Sequence, residues 1–244
     1  MSRPTFSENG NEEKASLFLE RNVTPIDTTD KSTYVTYDLP TKAGPITAGI
    51  LKFKKNVRTF EGGTPQEFVD VIQAIREIWK RSSLGGAEDR LNIITTLILG
   101  EDFDTVSVAL ETDLAEEQED NAEAELSVAH IETALKQLAV RVFPFRALEN
   151  QKRYMTHGMK LPKSMTIRAT ASALQKINMA LPVFPDATDE DRFSDNEILN
   201  ILEFMVPAAW RTAFDKKGHI PATCDRKRFI EECEILERED SRRD

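Results

Sequence analysis

The chemistry-bearing residues of this 244-residue chain are few and scattered. His130, His157 and His219 stand far apart, and none forms the H-E-x-x-H pair that sets two imidazoles on one helical face around a zinc ion. His130-Ile131-Glu132 matches half of a zinc-deaminase signature, but the P-C-x-x-C half is missing. Asp186–Glu197 has the length of a calcium loop, yet Thr188 and Glu190 fall on ligand positions and Asp191 stands where glycine is needed for the turn. Gly62-Gly63 and Gly85-Gly86 lack the phosphate-loop spacing and read as helix punctuation. No G-x-S-x-G nucleophile elbow occurs. No catalytic residue, cofactor or metal site is expected, and the chain does not read as an enzyme.

What remains able to act is charge. The net charge is -10, which argues against the whole chain being a nucleic-acid binder. Within that acidic background, Gln151–Leu181 carries six cations, Lys152, Arg153, Lys160, Lys163, Arg168 and Lys176, and no acid. Glu111–Glu125 is its counterpart, with eight acids and no cation. It reads as a solvated linker or an acidic helix start, with a second role open to it as an electrostatic partner that fixes register between subunits.

The elements that must position these charges are mostly helices. Residues 1–32 read as a mobile polar tail. Tyr34–Leu39 and Ile46–Phe53 are β-branched and aromatic, with turn chemistry at Pro40, Gly44 and Pro45, and predict an extended arm or β-hairpin over 33–60. Thr64-Pro65-Gln66-Glu67 is a capping box opening a helix whose Phe68, Val71, Ile72, Ile75, Ile78 and Trp79 share one face. Further helices are expected at Ala87–Leu99, Phe103–Leu110 and Leu126–Val142. Phe143-Pro144-Phe145 breaks the helical pattern, because proline disfavours helical geometry in the preceding residue, and divides a domain at 61–143 from one at 144–240. The second domain reads as five helices: Arg146–His157, Met165–Leu181, Ile198–Val206, one bearing Trp210 and Phe214, and Arg226–Glu239. The Ile198–Val206 helix is apolar on nearly every side and predicts central burial. Cys224 and Cys233 read as reduced thiols, and no apolar run reaches the roughly 18 residues of a membrane span, so a cytoplasmic protein without membrane partners is expected.

The order QKRYM (Gln151–Met155), then K-P-x-x-M (Lys160–Met165, with Leu161 between the Lys and the Pro), then an Arg-bearing helix ending I-N-x-x-L-x-x-F-P (Ile177–Pro185), resembles Gag polyproteins of LTR retrotransposons at the start of the C-terminal capsid domain. The likeness extends to Glu239 and, more loosely, back to about Leu51. It implies an all-α chain of two small helical bundles, retrovirus-capsid-like, behind the extended arm. It implies a capsid protein that assembles with itself, in pentamers or hexamers, into a virus-like shell around the element's RNA. RNA would be a weak second partner along the basic 151–176 face. Candidate self-contacts are Lys152, Arg153 and Arg168 on that face, and Trp210 with Phe214. In retroviral capsids the segment at this place acts through an internal hydrogen-bond network; by position, Gln151 and Arg168 are the residues this chain offers for it. The enzymatic signatures of such elements are absent: Asp104-Thr105 is followed by Val106 and not glycine, and two cysteines cannot form a zinc knuckle. The alternative is a helical adaptor or scaffold protein, domesticated from such an element or unrelated to it, with the 34–53 arm and the 111–125 segment as partner sites.

Overall fold

The computed structural model describes residues 34–40, 52–82, 84–216, 218 and 225–240. The expected tail at 1–32, the strand residues 46–51 with their turn, His219, Cys224 and the last four residues lie outside this set. The chain is mostly helical, with one two-stranded antiparallel hairpin on the N-terminal side. It divides into two compact units, one holding Pro25–Phe145 with Val183–Asp186, the other Arg146–Pro182 with Ala187–Asp244.

In the first unit, β1 (Tyr34–Pro40) pairs with β2 (Lys52–Arg58), Leu39 opposite Phe53 and Val35 opposite Val57. Alternation explains the pairing: Leu39 and Val57 are buried, while Thr36, Asp38, Lys54 and Asn56 on the other face are exposed. The sheet lies against α1 (Pro65–Arg81), where Lys55 pairs with Glu77 and the Arg81 guanidinium sits 5.1 Å from the Phe53 ring centre. The predicted capping box opens α1, Thr64 accepting from the Glu67 N–H and the Glu67 carboxylate accepting from the Thr64 N–H at 2.8 Å. All six residues of the predicted apolar face are buried.

After α2 (Ala87–Leu97) the chain pairs briefly with the segment before α1, Phe60 N–H donating to Leu97 O and Leu99 N–H to Phe60 O. Gly100 then takes a left-handed φ of 57°, a backbone conformation that calls for glycine. The next helix corrects the sequence reading. Instead of stopping at Leu110, α3 runs from Gly100 to Asp120 and makes most of the acidic stretch helical. α4 (Val128–Val142) buries Ile131, Leu135 and Leu138, as its spacing predicts. Four rings tie the unit together in sequence: Phe60–Phe68 and Phe68–Phe143 meet edge-on at 5.4 and 6.0 Å, and Phe143–Phe184 pack at 4.4 Å. Phe184 comes from the second half of the sequence, and its carbonyl also accepts a hydrogen bond from Lys136 Nζ at 2.8 Å.

The second unit contains α5 (Ala147–Arg153), which passes into a five-residue π-helical turn (Tyr154–Gly158), then α6 (Ile167–Ala180), α7 (Asp195–Met205), α8 (Ala208–Lys216) and α9 (Arg226–Asp240). Its core is Met155, Ile167, Leu174, Leu181, Ile198, Leu202, Phe229 and Cys233. Polar pairs fix the intervening loops. The buried Asn178 amide donates to Phe193 O and accepts from the Phe193 N–H, at 2.8 and 2.7 Å, in place of a backbone partner. The Leu161 N–H donates to Met205 O. The predicted box at Ser194 and Glu197 opens α7. Central burial of α7 needs correcting on one side: Ile198, Leu199, Ile201, Leu202 and Met205 are buried, but Phe204 is 65% exposed.

Candidate functional site

The predicted basic face divides once the side chains are placed. Lys152 pairs with Asp191 at 2.7 Å and lies 5.9 Å from the Phe193 ring centre, so it fastens α5 to the loop before α7. Arg168, at the start of α6, makes a two-toothed pair with Glu234 of α9 at 2.5 and 3.0 Å. Arg153, Lys160 and Lys163 are exposed and have no ion-pair partner among the described residues. Of the cations assigned to one binding surface, two therefore serve the fold of their own unit.

The proposed hydrogen-bond network of Gln151 and Arg168 does not form. The Arg168 guanidinium is turned to Glu234, and Gln151 makes no side-chain hydrogen bond among the described residues. Trp210 and Phe214 need a second correction. Both were candidates for contact with another copy, and they are 5% and 2% exposed. Trp210 donates from Nε1 to Asp240 Oδ2 at 2.5 Å, and Phe214 packs on Phe229 at 5.5 Å. Their one-turn spacing is that of a buried helical face, which is why sequence alone did not separate core from interface.

The carboxylates on these elements are held in their charged form. The hydrogen bond from Lys152, then that from the Thr188 backbone, keeps the Asp191 carboxyl below its usual range. Arg168 does the same for Glu234. The Ser194 backbone and hydroxyl do so for Glu197. Asp186–Glu197 thus spends most of its acids on two caps, Thr188 with Asp191 and Ser194 with Glu197, and on ion pairs of Asp191 with Lys152, Asp189 with Arg192 and Asp195 with Arg226. Among the described residues no group of three or more His, Cys, Asp or Glu could hold a metal ion. No helix among them is long and apolar enough to cross a membrane.

His130 has a structural task. Its Nδ1 accepts from the Ser127 N–H at 3.2 Å while Ser127 Oγ accepts from the His130 N–H, a capping box with imidazole in the usual place of glutamate. The other ring nitrogen lies 2.6 Å from Glu117 Oε2. Since Nδ1 accepts, Nε2 carries the proton. Glu132, two residues on, pairs with Arg76.

Two surface features remain, the second on the acidic stretch expected as an electrostatic partner. One is a cleft of about 440 Å³ in the second unit, built by the π-helical turn, α7 and the start of α8. Met155, Met159 and Ile201 form its buried apolar lining, Phe204 projects at its side, and Lys160 and Arg211 supply positive charge. Arg211 Nε is buried and has no hydrogen-bond partner among the described residues. The other is the outer face of α3. Val108, Glu111, Ala115 and Glu119 recur at helical spacing and all are exposed. Only Glu117 among the acids of 111–125 has a side-chain partner in the described residues, the Nε2 of His130. The cleft was not legible, and the acidic stretch was legible as charge alone, because the side of a helix that the fold leaves uncovered is not written in its local sequence.

No family model matches the chain, and neither a curated protein nor a solved structure matches it.

Proposed function

We propose that the protein is the capsid portion of an LTR-retrotransposon Gag polyprotein, a structural protein whose copies assemble in the cytoplasm into a virus-like shell around the element's RNA. The observation that carries this reading is the 151–185 stretch, whose order of basic opening, Lys-Pro break, Arg-bearing helix and Phe-Pro exit resembles that family. The helical content is in keeping with it, as is the division of the chain into two units. The two retrovirus-capsid-like bundles belong to the same proposal. Closed shells need several weak, repeated contacts between identical copies, and these contacts must lie on exposed side chains. Arg153 remains available for such a contact; Trp210 and Phe214 do not.

Negative-stain microscopy of the concentrated protein, with and without RNA and at low and high salt, tests the reading. Regular shells or tubes are the expected result. A discrete monomer or dimer under every condition would overturn it in favour of the adaptor alternative.

A further inference from the structure

The acidic end of α3 is at odds with its own helix. Glu116, Glu117, Glu119 and Asp120 crowd the last two turns, where the helix dipole favours cations, and the last turn holds none. The partial negative charge at the helix C-terminus repels each of these acids. Within the chain Glu117 has His130, but Glu111, Glu116, Glu119 and Asp120 have no partner among the described residues. The face they border is not purely polar, because Val108, 62% exposed, and Ala115, two turns further on, lie among the acids. An acidic helix carrying such apolar points is complementary to a basic surface with an apolar anchor.

The cleft of the second unit is such a surface. Phe204, 65% exposed, stands beside the buried Met155 and Met159, and Lys160 and Arg211 have no ion-pair partner among the described residues. Glu197, the acid on the lining, is already occupied by the Ser194 N–H and hydroxyl, both at 2.7 Å. The guanidinium of Arg211 lines the cleft without an acid of its own among the described residues, and a carboxylate can pair with it there. We propose that this cleft receives the outer face of α3 from a second copy of the chain, with Val108 and Ala115 against Phe204 and the glutamates of α3 facing Lys160 and Arg211. The contact is head-to-tail, since the two surfaces differ, so it propagates from copy to copy and closes only as a ring or extends as a filament. The inference names a contact that the proposed capsid would use, and it stands or falls on its own evidence.

The test is sedimentation equilibrium of the full chain with reciprocal charge reversals. Glu116→Lys/Glu119→Lys and Lys160→Glu alter exposed positions, and circular dichroism checks that each variant keeps its helices. Wild type is expected to self-associate at low salt and to lose this in about 1 M salt, where the screening length falls to about 3 Å. Each charge-reversed variant alone is expected to associate at least about tenfold more weakly, and an equimolar mixture of the two to regain association. Phe204→Ala is expected to weaken association at every salt concentration at which wild type still associates, because the anchor is apolar. A wild type monomeric at low salt, variants that sediment like wild type, or a mixture that gains nothing would each overturn the proposal. So would self-association untouched by Lys160→Glu while RNA binding is lost, which would assign the cleft to nucleic acid. Shells that form equally well with the Lys160→Glu variant would sink this contact and leave the capsid reading standing. A charge-swap effect in a protein that never forms shells would do the reverse.

Discussion

The two units reach stable helical packing by different means. The first is held by one apolar system, the face of α1 with Ile131, Leu135 and Leu138 of α4 and the run of rings from Phe60 to Phe184. Polar contacts supplement it: Lys55 with Glu77 and Arg76 with Glu132 are half-buried and the Gly62 N–H donates to the buried Asp102, while the exposed pair of Arg141 with Glu101 adds little. The second has an apolar core too, but its connections are fixed by polar pairs far apart in sequence: Asn178 with Phe193, Trp210 with Asp240, the Ile167 N–H with Glu237, and Arg226 with Gln175. The difference teaches that helices and their periodic apolar faces can be read from a sequence, whereas the long-range polar pins that join them cannot.

Each unit holds one tryptophan, Trp79 in the first and Trp210 in the second, so fluorescence can follow them separately. The largest effect is expected from Phe68→Ala, which removes a ring 1% exposed and in contact with two others. A loss of about 3–5 kcal/mol is expected in the urea transition reported by Trp79. If that transition moves by less than about 1 kcal/mol, the ring system does not hold the first unit as described. A smaller effect is expected from Trp210→Phe, which keeps most of the buried volume and removes the hydrogen bond to Asp240. We expect a loss of about 1.5 kcal/mol, followed by the helical signal; the lower end for a charged acceptor applies because Asp240 is exposed. An unchanged midpoint would show that this pin contributes nothing.

The smallest effect is that of acid. Asp191, Glu197 and Glu234 in the second unit, and Glu77 in the first through the Lys55 hydrogen bond, are held below the ordinary carboxylate range. The folded state therefore binds fewer protons than the unfolded one as pH falls. The stability these groups contribute is present above the ordinary range, about pH 4, and is lost as pH drops through their lowered folded-state values. The Trp210 transition should weaken more steeply with acid than the Trp79 transition, and Asp191→Asn should flatten that slope. Equal slopes in the two units would erase the comparison.

Legibility followed the same line. Thr64 to Glu67 and Ser194 to Glu197 declared their helix starts because serine or threonine three residues before glutamate has a local mechanism. The apolar faces of α1 and α4 declared themselves by spacing. The box of Ser127 with His130 escaped, since imidazole in place of glutamate is not part of that signature. So did the length of α3, whose run of like charges reads as a solvated linker until Leu110 and its neighbours are seen packed against α4. The site residues were the least legible part. Whether Lys152, Arg168 or Trp210 faces solvent or a partner in its own unit is decided by Asp191, Glu234 and Asp240, which lie 30 or more residues away.

The position of Phe184 has a consequence for the order in which the molecule can be made. Synthesis proceeds from the N-terminus, so when Phe145 leaves the ribosome the first unit still lacks the ring that covers Phe143 and the carbonyl that receives Lys136. Both arrive only after α5 and α6 have been translated. Completion of the first unit is thereby timed by the growth of the second, and a nascent chain halted between them keeps an aromatic surface open to whatever chaperone or sister chain is nearby.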